Sequence, residues 1–266
     1  MATGQAADLN KRLGGDRGRF SAIDHRLAVI SGYDASSAEA ANRLGLMQTT
    51  LDTVNDQRDR LANQMISINV SNTQTEADTA ASSARDAFSS FVGAFNARLA
   101  DKSLFAGTAT NQPALADADQ MLADLTAVVS GLGTAAEIIT AINDWFDNPT
   151  GGFATTGYLG DPSGHITQRI DESQTVTMAA RADDPAVRDL LKATAYAAVS
   201  SSVAGLSNDE KANLLRTSGE SLFTAAQGVV DMQARLGATE NKIEEGRTAL
   251  TAQKTTLTLM RNSMIA

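Results

Sequence analysis

The sequence predicts a mainly α protein: a long-helix antiparallel coiled-coil rod built from both ends of the chain, with a small α+β insert containing a β-hairpin. Three observations predict it. Towards the carboxy end, Leu222, Val229, Leu236, Ile243, Leu250 and Leu257 recur at every seventh position without a proline, the repeat of a helix seam gripped by a second helix. In the first half, Leu44, Met47, Leu51, Val54, Leu61, Met65 and Ile68 follow a three-four alternation with one intruder, Arg58. Between them, the Gly-rich stretch from Gly151 to Ala180 replaces helical spacing with short apolar-polar alternation. So narrow a stripe suits one neighbour rather than the centre of a globular core, so the last helix is expected to pair with the first. Residues 1–110 and 185–266 then form a discontinuous helical rod domain, and 111–184 an inserted subdomain.

Taken in order, the chain to Phe20 carries Gly4, Gly14, Gly15 and Gly18 among charges and reads as loop or short helix. Ser21 is an N-cap candidate for the helix that begins with Ile23, Leu27 and Ile30. At Arg58 the stem is expected to pack while the guanidinium reaches a carboxylate or water at the seam edge. After the polar break Ser71 to Asp78, a second helix carries Ala77, Ala80, Ala81 and Ala84, then Phe88, Phe91, Phe95 and Leu99. Small residues followed by large ones predict packing at an angle against the first helix.

Gly107, Asn111 and Pro113 stop that helix. Leu115 to Ser130 and Ala135 to Asp147 read as short helices. The runs His165 to Ile170 and Thr175 to Met178 read as strands after a turn at Asp161 to Gly164. Gly151 to Gly164 is expected to contribute few contacts to the rod, so that its deletion would leave rod helicity nearly intact. Asp184 followed by Pro185 predicts a capped helix start, and a break at Gly205 leads into the final helix.

Composition narrows the function. At 42% hydrophobic over 266 residues the chain can bury a core, yet aromatic residues make up only 5%, with Trp145 the sole tryptophan, so a deep aromatic-lined ligand pocket is not expected. A formal charge of -9 repels phosphate backbones and anionic lipid, so neither nucleic acid nor membrane is expected as a partner. The absence of cysteine removes disulfide and thiolate chemistry. The first residues lack the basic and apolar regions of a secretory signal, so export would need another route.

No catalytic, cofactor-binding or metal-ligating residue is assigned. His25 and His165 have no partner at a spacing that places two ligands on one helix face. The "GLGTAA" of Gly131 to Ala136 resembles part of a dinucleotide fingerprint, but its glycines serve more simply as a helix end and restart. The acidic pairs Asp117 with Asp119 and Asp183 with Asp184 precede helical patterns, where capping explains them. "NVS" at Asn69 matches a glycosylation acceptor but is expected on the seam-bearing helix.

Two stretches carry a resemblance. "ATGQAADLNKRLGGD" near the start and "VVDMQARLGATENKIEEGRTAL" near the end are similar to the flagellin family, the second through Arg235, Leu236, Gly237, Ala238 and Asn241, which match its Arg-Leu-Gly-Ala-x-x-Asn motif. "LFAGT" at Leu104 to Thr108 and the short middle region resemble the hook-filament junction members of that family. The resemblance covers most of the chain outside residues 115–160. It implies an extracellular structural subunit of the bacterial flagellum, exported by the flagellar type III system and not an enzyme. Its implied partners are neighbouring copies in a tubular assembly, the hook-side junction protein, flagellin and, were a carboxy-terminal segment restored, a flagellar export chaperone. The family's inner-tube helices are expected to be missing from both ends, as in a core fragment. Flagellin itself, or a coiled-coil stalk or tail protein whose heptads join chains, stays open as an alternative.

Overall fold

Two long helices come from the two ends of the chain: α1 (Arg17–Ser67) and α6 (Asn208–Ile265). The computed structural model describes residues 16–69 and 72–265. Between the long helices lie α2 (Gln74–Phe95), α3 (Ala118–Val128), α4 (Ala135–Asp147) and α5 (Pro185–Val199), a π-helical turn at Phe153–Gly157, and two small two-stranded antiparallel sheets. The fold is mainly α, with helices packed on one another and small β elements, as the periodicities predict.

Start signals behave as written in the sequence. Thr73 and Glu76 form a reciprocal capping box on α2, as do Thr134 and Glu137 on α4. Asp117 accepts from the Asp119 and Gln120 amides at the start of α3, and Asp184 accepts from Ala186 ahead of Pro185 on α5. Gly131, at φ +80, closes the turn between α3 and the Thr134 cap, so "GLGTAA" is a helix end and restart.

Three boundaries differ from expectation. α1 begins at Arg17 rather than Ser21, and all but Asp16 of the opening flagellin-like stretch lies outside the described residues. Asn69 sits beyond the end of α1, where its amide donates to Asn72 Oδ1 at 2.8 Å, so it is not on the seam helix. α2 stops at Phe95 because Asn96 turns its side chain to the loop, exchanging hydrogen bonds with both the amide and the carbonyl of Leu115 at 2.8 and 3.0 Å. Leu99 therefore belongs to a hairpin of β1 (Arg98–Leu99) and β2 (Lys102–Ser103), whose turn puts Ala100 and Asp101 at φ 47 and 62. Turns of this kind favour Gly, Asn or Asp, and Ala100 at the first position does not announce one.

The chain divides into two compact units, to both of which α1 and α6 contribute. The larger comprises residues 45–166 and 179–236. In it, α2 packs chiefly on α5, whose residues are buried on nearly every side. Arg85 of α2 donates to the Ala198 carbonyl at 2.9 Å and also bonds Ser202. Helix α2 also meets α1, where Gln64 donates to Ser83 at 3.1 Å and Ser90 to Gln57 at 2.8 Å.

The Gly151 to Gly164 segment packs within this unit against the loop that follows β2. Phe153 is buried, Leu159 N–H donates to Ala114, and Asp161 N–H to Ala106. The smaller unit comprises residues 16–44, 167–178 and 237–265 of the described chain. There the hairpin of β3 (Ile166–Arg169) and β4 (Thr175–Met178) lies against α1, with Ser36 donating to the Arg169 carbonyl at 2.7 Å and Ser37 to that of Ile170 at 3.4 Å. The fully buried Ile170 reaches α6 at Gly246, where a Cβ would stand 3.2 Å from its Cδ1.

Candidate assembly surfaces

In the larger unit, Met47, Leu51, Val54, Leu61 and Met65 of α1 are buried, as are Leu222, Val229 and Leu236 of α6. Ile68, one residue past the end of α1, is also buried. The two helix segments run antiparallel, because partners descend on one as they ascend on the other. Gln48 donates to the Gln233 carbonyl and Asn55 to the Gln233 side chain, both at 2.9 Å, while Arg58 donates to the Leu222 carbonyl at 3.4 Å. Further on, Gly219 lies so close to α1 that a Cβ would meet Ile66 Cγ1 at 2.7 Å and the Ala62 carbonyl at 3.0 Å. A glycine at that crossing lets the backbones approach.

Arg58 does what its position in the seam requires. Its stem is buried, and its guanidinium reaches the exposed carboxylate of Asp59 at 2.9 Å. Its Nε is left without a hydrogen-bond partner. This is a long side chain snorkelling to the edge.

The smaller unit buries Leu44, Ile243 and Leu250, but Leu257 is part-exposed and the column fades from there. The same antiparallel pairing of α1 with α6 is marked by ion pairs, Asp34 with Arg247 at 3.8 Å and Asp24 with Arg261 at 3.5 Å. Both pairs are solvent-exposed enough to contribute at most about 1 kcal/mol.

The residues of the Arg-Leu-Gly-Ala-x-x-Asn motif play different parts. Leu236 is buried, Gly237 half-buried, and Arg235, Ala238 and Asn241 are exposed. Arg235 pairs with Asp184 at 2.9 Å, the same carboxylate that caps α5. That bond ties α6 to the first turn of α5 within the larger unit.

Several exposed apolar side chains were not singled out by periodicity. Phe223 and Val230, 43% and 48% exposed, stand seven residues apart on the outer side of α6, and Leu259 and Met260 are 65% and 49% exposed near its end. Phe223 and Val230 each follow a seam residue by one, a parallel column legible only once the buried column is known. Exposed apolar groups at helix spacing, on an otherwise acidic and polar surface, are contact candidates.

Neither histidine is in a cluster: His25 and His165 are exposed, and Arg181 lies 3.4 Å from the His165 ring. Among the described residues no group of three or more His, Cys, Asp or Glu is placed to hold a metal, and no helix is long and apolar enough to cross a membrane. Titratable groups in the larger unit serve packing. Burial acts to lower the Lys192 ammonium, but Asp147 and Asp189 at 2.7 and 2.9 Å outweigh it and raise the pKa. Burial pushes the Tyr196 hydroxyl up to about 12, where it bonds Asn143. No pair in this set links a nucleophile to a general base.

No protein-family model matches the chain, and no curated protein matches it. Among solved structures, its fold is similar to one described as a flagellar hook-associated protein from Vibrio parahaemolyticus, with a TM-score of 0.64 and 13% identity over 94% of this chain and 99% of that one. It is also similar to FlgL from Bacillus cereus, with a TM-score of 0.62 and 15% identity over 90% of this chain and 98% of that one. What the chain shares with both, at these identities, is the fold over nearly its whole length.

Proposed function

We propose that this chain is a structural subunit of the bacterial flagellum, of the hook-associated protein 3 type, joining the hook-side junction protein to the flagellin filament. The observation that carries the reading is the coincidence of two independent similarities: the fold, similar over 94% and 90% of this chain to a hook-associated protein and FlgL, and the Arg235-Leu236-Gly237-Ala238-x-x-Asn241 motif on α6. Within this reading the buried columns of α1 and α6 form one intramolecular seam. Residues 111–184 are the segment inserted between the two ends of a helical core formed by 1–110 and 185–266. The polar helix faces, with Phe223 and Val230 among them, meet neighbouring copies.

Such a subunit needs no catalytic group. A tubular assembly repeats each contact by symmetry, so many modest polar and apolar contacts sum to a stiff wall. The subunit is exported by the flagellar type III route, works outside the cell, and takes neighbouring copies, the hook-side junction protein, flagellin and an export chaperone as partners.

The test is localisation and rescue in a junction-deficient strain. Immunogold labelling of the tagged product of the native gene is expected in a single band between hook and filament, with restored motility and less shed flagellin. Label along the whole filament would make the chain a flagellin. Sedimentation at micromolar concentration is expected to give a monomer, and a tight parallel dimer or trimer would favour the coiled-coil stalk.

A further inference from the structure

We propose that the larger unit carries a binding site for a small monocarboxylate with an aromatic or apolar body, in the cavity between the end of α4, the Phe153–Gly157 turn and the first turn of α5. The cavity has a volume of about 460 Å³, within the usual range for small-molecule sites. Its apolar lining is Phe146, Phe153, Tyr158, Pro149 and Pro162. Phe146 and Phe153 lie 5.4 Å apart, and Phe153 stacks with Tyr158 at 6.5 Å and 20°. This gathering of rings supplies the aromatic wall that the chain's overall composition argues against.

The charges around it are unequal in what they have left to offer. Asp183 accepts both arms of Arg181, at 2.7 and 3.0 Å, and Asp147 is held by Lys192 at 2.7 Å. Arg188, half-buried on α5, is different. Among the described residues it forms no ion pair, and its Nε is buried with no hydrogen-bond partner. Its terminal amines are likewise without a hydrogen-bond partner among the described residues, and a planar guanidinium with unused donors matches a carboxylate in a fork geometry. The two rim aspartates, each already paired, disfavour a second negative charge, so the ligand class is a monoanion rather than phosphate or a dicarboxylate.

Phenylacetate is the probe and 2-phenylethanol its neutral counterpart, titrated into the full chain by saturation-transfer NMR and by the fluorescence of Trp145, whose ring lies 6.2 Å from Phe153. The expected result is saturable phenylacetate binding, at least about tenfold tighter than the alcohol. Arg188→Gln should erase that preference while leaving the alcohol's affinity unchanged. Arg188→Lys, which keeps the charge without the fork, should fall between and keeps the test open should the glutamine variant not fold. Absence of saturable binding up to millimolar concentration, equal affinity for acid and alcohol, or an unchanged preference in Arg188→Gln would overturn the assignment. Self-association of the chain that phenylacetate competes away would also overturn it, assigning the pocket to an acidic side chain of a second copy.

Discussion

The two compact units are built from the same pair of long helices and differ in what those helices are given to bury. In the larger unit, α2, α4 and the loops add Phe88, Phe91, Phe95, Phe105, Phe146 and Phe153, all buried, to the α1 and α6 columns. The smaller unit adds only a hairpin, none of its buried side chains is aromatic, and Phe20 and Tyr33 are its half-buried aromatics. Aromatic side chains bring large buried areas, so the same heptad pattern is anchored firmly in one unit and lightly in the other. A seven-residue repeat therefore states where a helix is prepared to pack and leaves the strength of that packing to its neighbours.

Truncation should break this comparison most visibly. Phe95→Ala removes a fully buried ring that meets Phe105 edge-on at 5.3 Å, and should cost about 3–5 kcal/mol. Leu250→Ala, at a part-open site lined by Tyr33 and Gly246, should cost about 2 kcal/mol, and Leu257→Ala under about 0.5 kcal/mol. Urea midpoints of the three variants check the order. Equal losses at Phe95 and Leu257 would dissolve the distinction between the units.

Hydrogen exchange sharpens the same point without mutation. Nearly every side chain from Thr251 to Met260 is exposed, whereas α5 is buried almost throughout. Amides of the last turns of α6 should exchange through local opening, at least about tenfold faster than those of α5, which should require opening of the larger unit. Uniform protection along α6 would mean that its end is held by contacts as strong as those of the core.

A smaller effect is expected at Arg58, where a buried guanidinium with an orphaned Nε interrupts the apolar column. Arg58→Met should be neutral or stabilise the fold by about 1 kcal/mol, since a well-packed apolar replacement avoids the desolvation cost. Thermal unfolding in low and high salt measures it. A loss above about 2 kcal/mol would show that the bond to the Leu222 carbonyl matters more than the buried charge costs.

The smallest expected effect is acid sensitivity. Glu76 is held below the ordinary glutamate range first by the Thr73 amide, and Glu137 first by the Thr134 hydroxyl. Because both are lower in the folded state, their contribution is present above the unfolded pKa and lost as pH falls through the folded one. Both boxes lie in the larger unit, so acid should loosen the starts of α2 and α4 there. Thr134→Ala should raise the Glu137 pKa towards the ordinary range, as read by NMR titration, and leave Glu76 unchanged.

The elements that were legible in the sequence are those whose signal is local. A helix start needs only a capping side chain and the next three residues, so Asp117 and Asp184 can be read directly. A helix face needs only its spacing, and hence Leu44 to Met65 and Leu222 to Leu250 point inward. The β1–β2 hairpin could not be read this way, because its turn puts Ala100 in a conformation usually left to glycine, asparagine or aspartate. The surrounding packing imposes it.

The sequence by itself determined the mainly α class, the caps, the strand segments of the insert and the residues prepared to form a seam, because each follows from backbone sterics and periodicity within a few turns. Tertiary structure alone decided where the seam fades, that Gly151 to Gly164 packs within the larger unit, and that Phe146, Phe153 and Tyr158 share one cavity with an unpaired Arg188. Those facts depend on which distant surfaces meet and which charges find partners. Contacts between residues far apart in the chain leave no period in the sequence.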